Sequence, residues 1–492
     1  MKKRVILVYP NIVTGWQARP RMAMPMSLLC IANPAIEAGF DVKIIDQRVE
    51  PRWKAILMQE LKDKPLCVGV SSMTGPQLKY ALEISRIVKE HGTTPVVWGG
   101  THASLLPAQT LENEFIDIVV EGEGEETFPE LLEALDGKRE LSSVRGIWFK
   151  DNDKVIYTGR RPFIDLNKLT ALPYHLIDLN KFTRTMFDIE HLDFFTSRGC
   201  PHQCAFCYNA SFHKKQWRTM DPDLVVKRIK DFVQTYKVKG LFFNDSNFYF
   251  DLDRGREILR GLIREDVGVC ISNINIDFLT MLKMRQEDFD LLKRVHCKRI
   301  PIAVESGSER IQNLLKKPVD AEQLLKINTY LKESGIAIHY AFMMGFPTET
   351  KEDLAQSISL AFRLLEENPN ADTSFNIFTP FPGTELFDIA LSYGLKFPQR
   401  LEDWNSFNYR TLTQGAPWLS EEMQHLVQVM DFCAFFMGSR PFLKPYEKTS
   451  ALTLLLSRMY APLARKRLKY FYDKFPVEMK LAKYLGIYAR QN

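Results

Sequence analysis

Residues 197–209 read SRGCPHQCAFCYN and hold three of the chain's eight cysteines, Cys200, Cys204 and Cys207, in the spacing C-x3-C-x2-C. The other five, Cys30, Cys67, Cys270, Cys297 and Cys433, stand singly. Three readings compete for the trio. A structural zinc site would take His202 or His213 as fourth ligand, but such sites usually join two close cysteines to a second pair, and the sequence has none. Three core cysteines would be poorly served by the intervening Pro-His-Gln. A cubane iron–sulfur cluster usually takes four thiolates, so three would leave one iron open to bind a substrate. The third reading fits the spacing best.

The stretch sits at the head of an alternating pattern. LDFFTSR (192–198), KGLFFND (239–245), GVCISNI (268–274), RIPIAVES (299–306), IAIHYAFMMG (336–345) and TSFNIFTPF (373–381) each read as a buried strand, separated by helical segments such as DPDLVVKRIKDFVQTY (221–236). Six such units predict a partial (β/α)6 barrel, with its chemistry at the carboxyl ends of the strands. The cysteines follow the first strand, on that face.

Ahead of the barrel a second alternation runs through RVILVYP (4–10), VKIID (42–46), CVGVSS (67–72), VVWGG (96–100) and DIVVEGE (117–123). It predicts a doubly wound, Rossmann-like parallel sheet, whose ligands lie beyond the carboxyl ends of its strands. Small and polar residues gather there in SSMTG (71–75), GGTHAS (99–104) and GEGEET (122–127). The expected division is a sheet domain at 1–140, a connector with a small hairpin at 141–190, the barrel at 191–390 and a helical, basic region at 391–492.

Composition sets the class. Hydrophobic residues make up 45% and charged residues 25% of 492, as in ordinary globular α/β proteins. MKKRVILVYPN offers too few apolar residues before Pro10 for a signal peptide, and no run approaches a membrane span. The cysteine usage suits a reducing cytoplasm better than a disulfide framework. The net charge of +5 is uneven: residues 439–492 hold twelve Lys/Arg against three Asp/Glu, interleaved with Tyr470, Phe471, Tyr472 and Phe475. Such a segment suits contact with an anionic membrane surface or an acidic substrate.

SRGCPHQCAFCYN resembles the cluster motif of radical S-adenosylmethionine enzymes, including the aromatic Phe206 before the last cysteine. The resemblance implies a [4Fe-4S] cluster on Cys200, Cys204 and Cys207, whose open iron chelates S-adenosylmethionine and cleaves it to a 5′-deoxyadenosyl radical. FFNDSNF (242–248) and VESGSERI (304–311) resemble the segments that contact the cofactor's methionine and ribose. Phe206, Asn244, Asp245, Glu305, Ser306 and Gly307 are the S-adenosylmethionine residues this implies. GFPTET (345–350) and PFPGTEL (380–386) match later loops of the subgroup with an N-terminal cobalamin-binding domain, near the anaerobic magnesium-protoporphyrin monomethyl ester cyclase.

In that subgroup the front sheet would bind cobalamin through Ser71, Ser72, Thr74, Gly75, Gly99, Gly100, Thr101, His102, Gly122, Glu123 and Gly124. The D-x-H-x-x-G motif that supplies cobalt's lower ligand in many such domains is absent from PNIVTGWQARP (10–20). Together these features imply a C-methyltransferase acting at an unactivated carbon of a hydrophobic or lipid-like molecule, reduced by a flavodoxin or ferredoxin. Oxidative cyclisation is the alternative reaction, and a non-catalytic cobalamin or redox sensor the alternative class. No RNA-binding module is seen, so nucleic acid is not an expected partner.

Overall fold

A computed structural model describes residues 3–12, 22–152, 154–317, 319–408, 412–437 and 451–484. Most of the expected loop 10–20 and much of the basic tail, residues 438–450 and 485–492, lie outside them. The chain forms two compact units: residues 1–182 with 397–408, and residues 183–396 with 409–492.

In the first unit, β1 (Arg4–Tyr9), β2 (Asp41–Asp46), β3 (Cys67–Ser71), β4 (Val96–Gly99) and β5 (Ile118–Val120) form a parallel sheet in the order β2-β1-β3-β4-β5. A hairpin, β6 (Ile147–Asp151) and β7 (Lys154–Tyr157), extends it antiparallel beyond β5. The apolar runs are buried on both faces, as a parallel sheet requires. Val5, Leu7, Val97 and Ile118 pack against Leu28, Ala32, Phe128 and Leu131 from the helices Met26–Glu37 and Thr127–Leu135. The buried Trp98 donates through Nε1 to Ser85 Oγ of the helix Gln77–Glu90 at 2.8 Å. Strand order reverses between β1 and β3, which marks the crevice at their carboxyl ends as the binding edge.

In the second unit, β8 (Arg184–Met186) pairs antiparallel with β9 (Ile189–Phe194). The first strand of the barrel is thus shorter than expected: β9 ends at Phe194, and β10 (Ser197–Arg198) pairs instead with β11 (Arg218–Thr219). This two-residue clip closes the base of the loop that carries the cysteines. The strands β12 (Gly240–Phe243) and β13 (Cys270–Asn273) continue the parallel ladder from β9. A second parallel ladder holds β14 (Arg299–Glu305), β15 (Ala337–Met344) and β16 (Ala371–Ile377). Single backbone bonds link the ladders, among them Ile274 N to Arg299 O at 3.2 Å. The six parallel strands form the partial barrel, and the helices Glu421–Ala434, Ala451–Tyr470 and Val477–Tyr484 follow it.

Two boundaries differ from expectation. The stretch 141–190 is no separate connector: its hairpin completes the front sheet and its last strands begin the barrel. Residues 397–408, expected in the helical tail, belong with the first unit. There Trp404 donates through Nε1 to Gln109 Oε1 at 2.7 Å, and Gln109 Nε2 donates to the Pro398 carbonyl at 2.7 Å. No helix among the described residues is long and apolar enough to cross a membrane.

Candidate functional site: a three-thiol loop and a small-residue sheet edge

The clip of β10 and β11 sets the span of the cysteine loop, and Ala205 anchors its centre. Ala205 N donates to Leu315 O at 2.9 Å, and Leu386 N donates to Ala205 O at 2.9 Å. Cys200, Cys204 and Cys207 are each partly exposed, whereas the other five cysteines are buried. Burial, aided by the neighbouring Cys204 and Cys207, pushes the Cys200 thiol up to about 11. Desolvation also raises Cys204 and Cys207. Thiols so shifted stay protonated at neutral pH and ionise as metal binds. Among the described residues no three His, Cys, Asp or Glu side chains converge as a single-ion site requires. A cubane asks for a different arrangement, since each thiolate binds its own iron. Three partly exposed, mutually interacting thiols on one loop fit that demand. His202 Nε2 instead faces Asp277 Oδ1 at 3.5 Å, and His213 Nδ1 accepts from Arg218 at 3.2 Å.

Beside the loop lies a cavity of about 310 Å³ lined by Phe206, Met343, Asn376, Ile377, Thr379 and Phe381. Its lining is mainly apolar, with two polar side chains, Asn376 from the carboxyl end of β16 and Thr379 just beyond it. Thr379 Oγ1 is buried, with no hydrogen-bond partner among the described residues. A depression of about 350 Å³ on the first unit, near Met58 and His91, contains none of the expected site residues.

The expected S-adenosylmethionine residues divide in two. Phe206 lines the cavity, and Asn244 is exposed, donating through Nδ2 to Asp193 Oδ1 at 2.9 Å. Asp245 is placed otherwise: it is fully buried and accepts from Thr196 N at 3.1 Å, Thr196 Oγ1 at 2.7 Å and Ser197 Oγ at 2.5 Å. Burial raises its carboxyl while these donors oppose the shift. Asp245 therefore holds the end of β12 to the entry of the cysteine loop and does not face a ligand. Ser306 and Gly307 are likewise occupied by packing. Ser306 Oγ lies 3.1 Å from Ser357 Oγ, and a Cβ on Gly307 would come within 2.7 Å of the Gln356 carbonyl. The close approach that needs glycine here is to the helix Lys351–Glu367.

Glu305 closes β14 with φ 67°, a left-handed conformation that strains a non-glycine residue. It accepts from Lys317 Nζ at 3.0 Å, with both side chains largely buried. Burial alone would lower Lys317; its ion pair with Glu305 is the main influence that raises it. No motif in the sequence singled out Lys317, because what makes it notable is its distant partners. Nor did one single out Thr196 or Thr379, and Ser197 stands in the cysteine motif without a role of its own. Glu349, in the GFPTET stretch, is fully buried and pushed up to about 8 by desolvation. Its Oε2 accepts from Gly345 N at 2.5 Å, while Oε1 is unpartnered among the described residues.

On the front sheet the candidates also divide. Ser71, Gly99, Thr101, Gly122, Glu123 and Gly124 are half-buried at the edge. Ser72 is buried and donates to Gly99 O at 2.9 Å, so its hydroxyl ties β3 to β4. His102 is fully buried, with Nδ1 2.9 Å from Thr74 Oγ1 and its ring edge-on to Trp404 at 5.6 Å. Burial holds it down to about 3, so it is neutral. A Cβ on Gly100 would lie 2.6 Å from the Ser72 carbonyl, and one on Gly75 would overlap the Phe407 carbonyl. Both glycines have left-handed φ, 97° and 110°. Ser72, Thr74, Gly75, Gly100 and His102 thus serve packing, partly against residues 397–408, while His102 Nε2 has no hydrogen-bond partner among the described residues. The open, small-residue edge that remains fits a flat ligand needing close backbone approach.

Known proteins match both regions. Residues 194–361 match the radical SAM superfamily, and residues 21–132 match the B12 binding domain. An uncharacterised methyltransferase of Pyrococcus horikoshii is 30% identical over 382 residues, 75% of this chain and 79% of that protein. An anaerobic magnesium-protoporphyrin IX monomethyl ester cyclase of Rubrivivax gelatinosus is 25% identical over 465 residues, 91% of this chain and 81% of that one. The solved cobalamin-dependent S-adenosylmethionine radical enzyme OxsB, bound to aqua-cobalamin and S-adenosylmethionine, shares the fold with a TM-score of 0.73 at 17% identity, over 99% of this chain and 75% of that one. The three-thiol loop on a partial barrel, the sheet that precedes it and the 30% identical relative lead to one assignment: the chain belongs to the radical SAM superfamily, among the members that carry a B12-binding domain.

Proposed function

We propose that the protein is a cobalamin-dependent radical S-adenosylmethionine C-methyltransferase acting at an unactivated carbon of a hydrophobic small molecule. The observation that carries this reading is the joint presence of a three-thiol loop beside an apolar cavity and a B12-type sheet edge in one chain, together with similarity to a methyltransferase. When bound, the cofactors supply a hydrogen-abstracting adenosyl radical and a transferable methyl group. The chain's residues bind and orient them. Cys200, Cys204 and Cys207 hold the cluster, and Phe206 and Asn244 contact S-adenosylmethionine. Glu305, paired with Lys317, shapes the end of β14. Ser71, Gly99, Thr101, Gly122, Glu123 and Gly124 border the corrin. A ferredoxin- or flavodoxin-type protein supplies the electron.

Anaerobic reconstitution with iron, sulfide and hydroxocobalamin, followed by reductant, S-adenosylmethionine and a panel of hydrophobic substrates, tests the proposal. Methylated product with both 5′-deoxyadenosine and S-adenosylhomocysteine is the expected result. Oxidised product with 5′-deoxyadenosine alone would favour the cyclase reading, to which similarity with the Rubrivivax gelatinosus enzyme lends weight. Release of neither would leave a sensor.

The same reading includes a cytoplasmic setting with peripheral contact to an anionic membrane. Exposed apolar side chains recur at Leu455, Met459 and Leu463 of one helix and continue at Tyr470, Phe475 and Val477, among basic residues. Co-sedimentation with anionic but not neutral vesicles is expected; equal binding after deletion of 439–492 would remove this part.

A further inference from the structure

Lys317 lies outside every motif, yet the fold carries it to the cysteine loop. The helix Glu309–Leu315 ends with Lys316 in the left-handed conformation, φ 53°. That turn separates two adjacent lysines. Lys316 is half-exposed and pairs with Glu385 at 2.5 Å, whereas the Lys317 side chain is only 16% exposed and pairs with Glu305 at 3.0 Å. The Lys317 ammonium lies 5.9 Å from the centroid of the Phe206 ring, next to Cys207. Leu315 O, which accepts from Ala205 N, ties the same helix end to the centre of the loop.

A buried ammonium is expensive unless anions surround it. Glu305 answers one of its three N–H donors. The approach to Phe206 and the bond from Ala205 N to Leu315 O place the ammonium beside the stretch of the loop that runs from Cys204 to Cys207.

We propose that Lys317 is the cation that offsets the negative charge of the cluster held by Cys200, Cys204 and Cys207, and thereby favours its one-electron reduction. The proposal rests on the reading of this loop as a cluster site. In its oxidised resting form, a cubane with three thiolates carries one net negative charge. The electron from a ferredoxin- or flavodoxin-type donor adds a second, and a nearby buried cation stabilises the more negative state. Lys317 acts here as a positioning residue for charge and takes no part in bond making.

The test is a redox titration of the reconstituted protein without S-adenosylmethionine, followed by the paramagnetic signal of the reduced cluster. At a fixed potential, Lys317→Met is expected to lower the reduced-to-oxidised ratio roughly tenfold, the order expected for loss of a nearby opposite charge. Lys317→Arg should stay close to the parent protein. Glu305→Gln, which removes the opposing charge, should move the ratio upward. The proposal is overturned if, at matched iron content, Lys317→Met leaves the ratio unchanged, or if both neutralising variants move it the same way. It is equally overturned if Lys317→Met weakens S-adenosylmethionine binding but leaves the ratio alone. Should Lys317→Met fail to hold a cluster, absence of a rise in Glu305→Gln overturns it. Failure of the parent protein to retain iron and sulfide would instead sink the cluster reading.

Discussion

Asp245 shows how a carboxylate at a barrel strand's end can be mistaken for a ligand. Its sequence position suits a cofactor contact, but it accepts from Thr196 and Ser197 and is fully buried. Asparagine keeps one acceptor oxygen and loses the charge. Asp245→Asn is expected to lower stability by about 2–3 kcal/mol, and to reduce retained iron by loosening the entry to the cysteine loop. Urea unfolding and iron analysis check this; full iron retention with weakened S-adenosylmethionine binding would restore the ligand role. Glu349 makes a prediction in pH. Its folded value, about 8, lies above the ordinary 4.5 because burial penalises the carboxylate. Between those values the unfolded chain has released the proton and the folded chain keeps it, so stability falls as pH rises across the window and levels off above about 8. Glu349→Gln mimics the protonated form, and unfolding curves at about pH 5.5 and about pH 8 should show a smaller pH difference than the parent.

At the scale of elements, residues 397–408 matter most. Trp404 and Phe407 are almost completely buried in the first unit, against His102 and Gly75, although they follow the barrel in sequence. Trp404→Ala is expected to destabilise that unit by about 3–5 kcal/mol, read by denaturant unfolding. An effect below about 1 kcal/mol would mean that this segment is not integral to the unit's core. The strands themselves were legible, because apolar runs between helical patterns leave few alternatives. The shortened first strand was not. FTSR continues the apolar and β-favouring run of 192–198, and only pairing of Ser197 and Arg198 with Thr219 and Arg218 ends it.

For the whole molecule, two units with separate cores imply separable cofactor sites. Alanine at Cys200, Cys204 and Cys207 together is expected to abolish iron retention while leaving cobalt retention near that of the parent, measured by metal analysis after reconstitution and desalting. Parallel loss of cobalt would show that the sites depend on one another.

The sequence by itself determined the cysteine loop, the alternating strands of both sheets and the small-residue edge, since each depends on residue type and local spacing. It could not determine which of the small and acidic residues face a ligand. Asp245, Ser306, Gly307, Thr74 and His102 have the right chemistry, but partners 28 to 302 residues away, such as Thr196 and Trp404, pack against them. Lys317 is the converse case, an ordinary lysine that its meeting with Glu305 and the cysteine loop makes notable. Tertiary structure decides such roles because burial and charge pairing depend on what distant segments bring together.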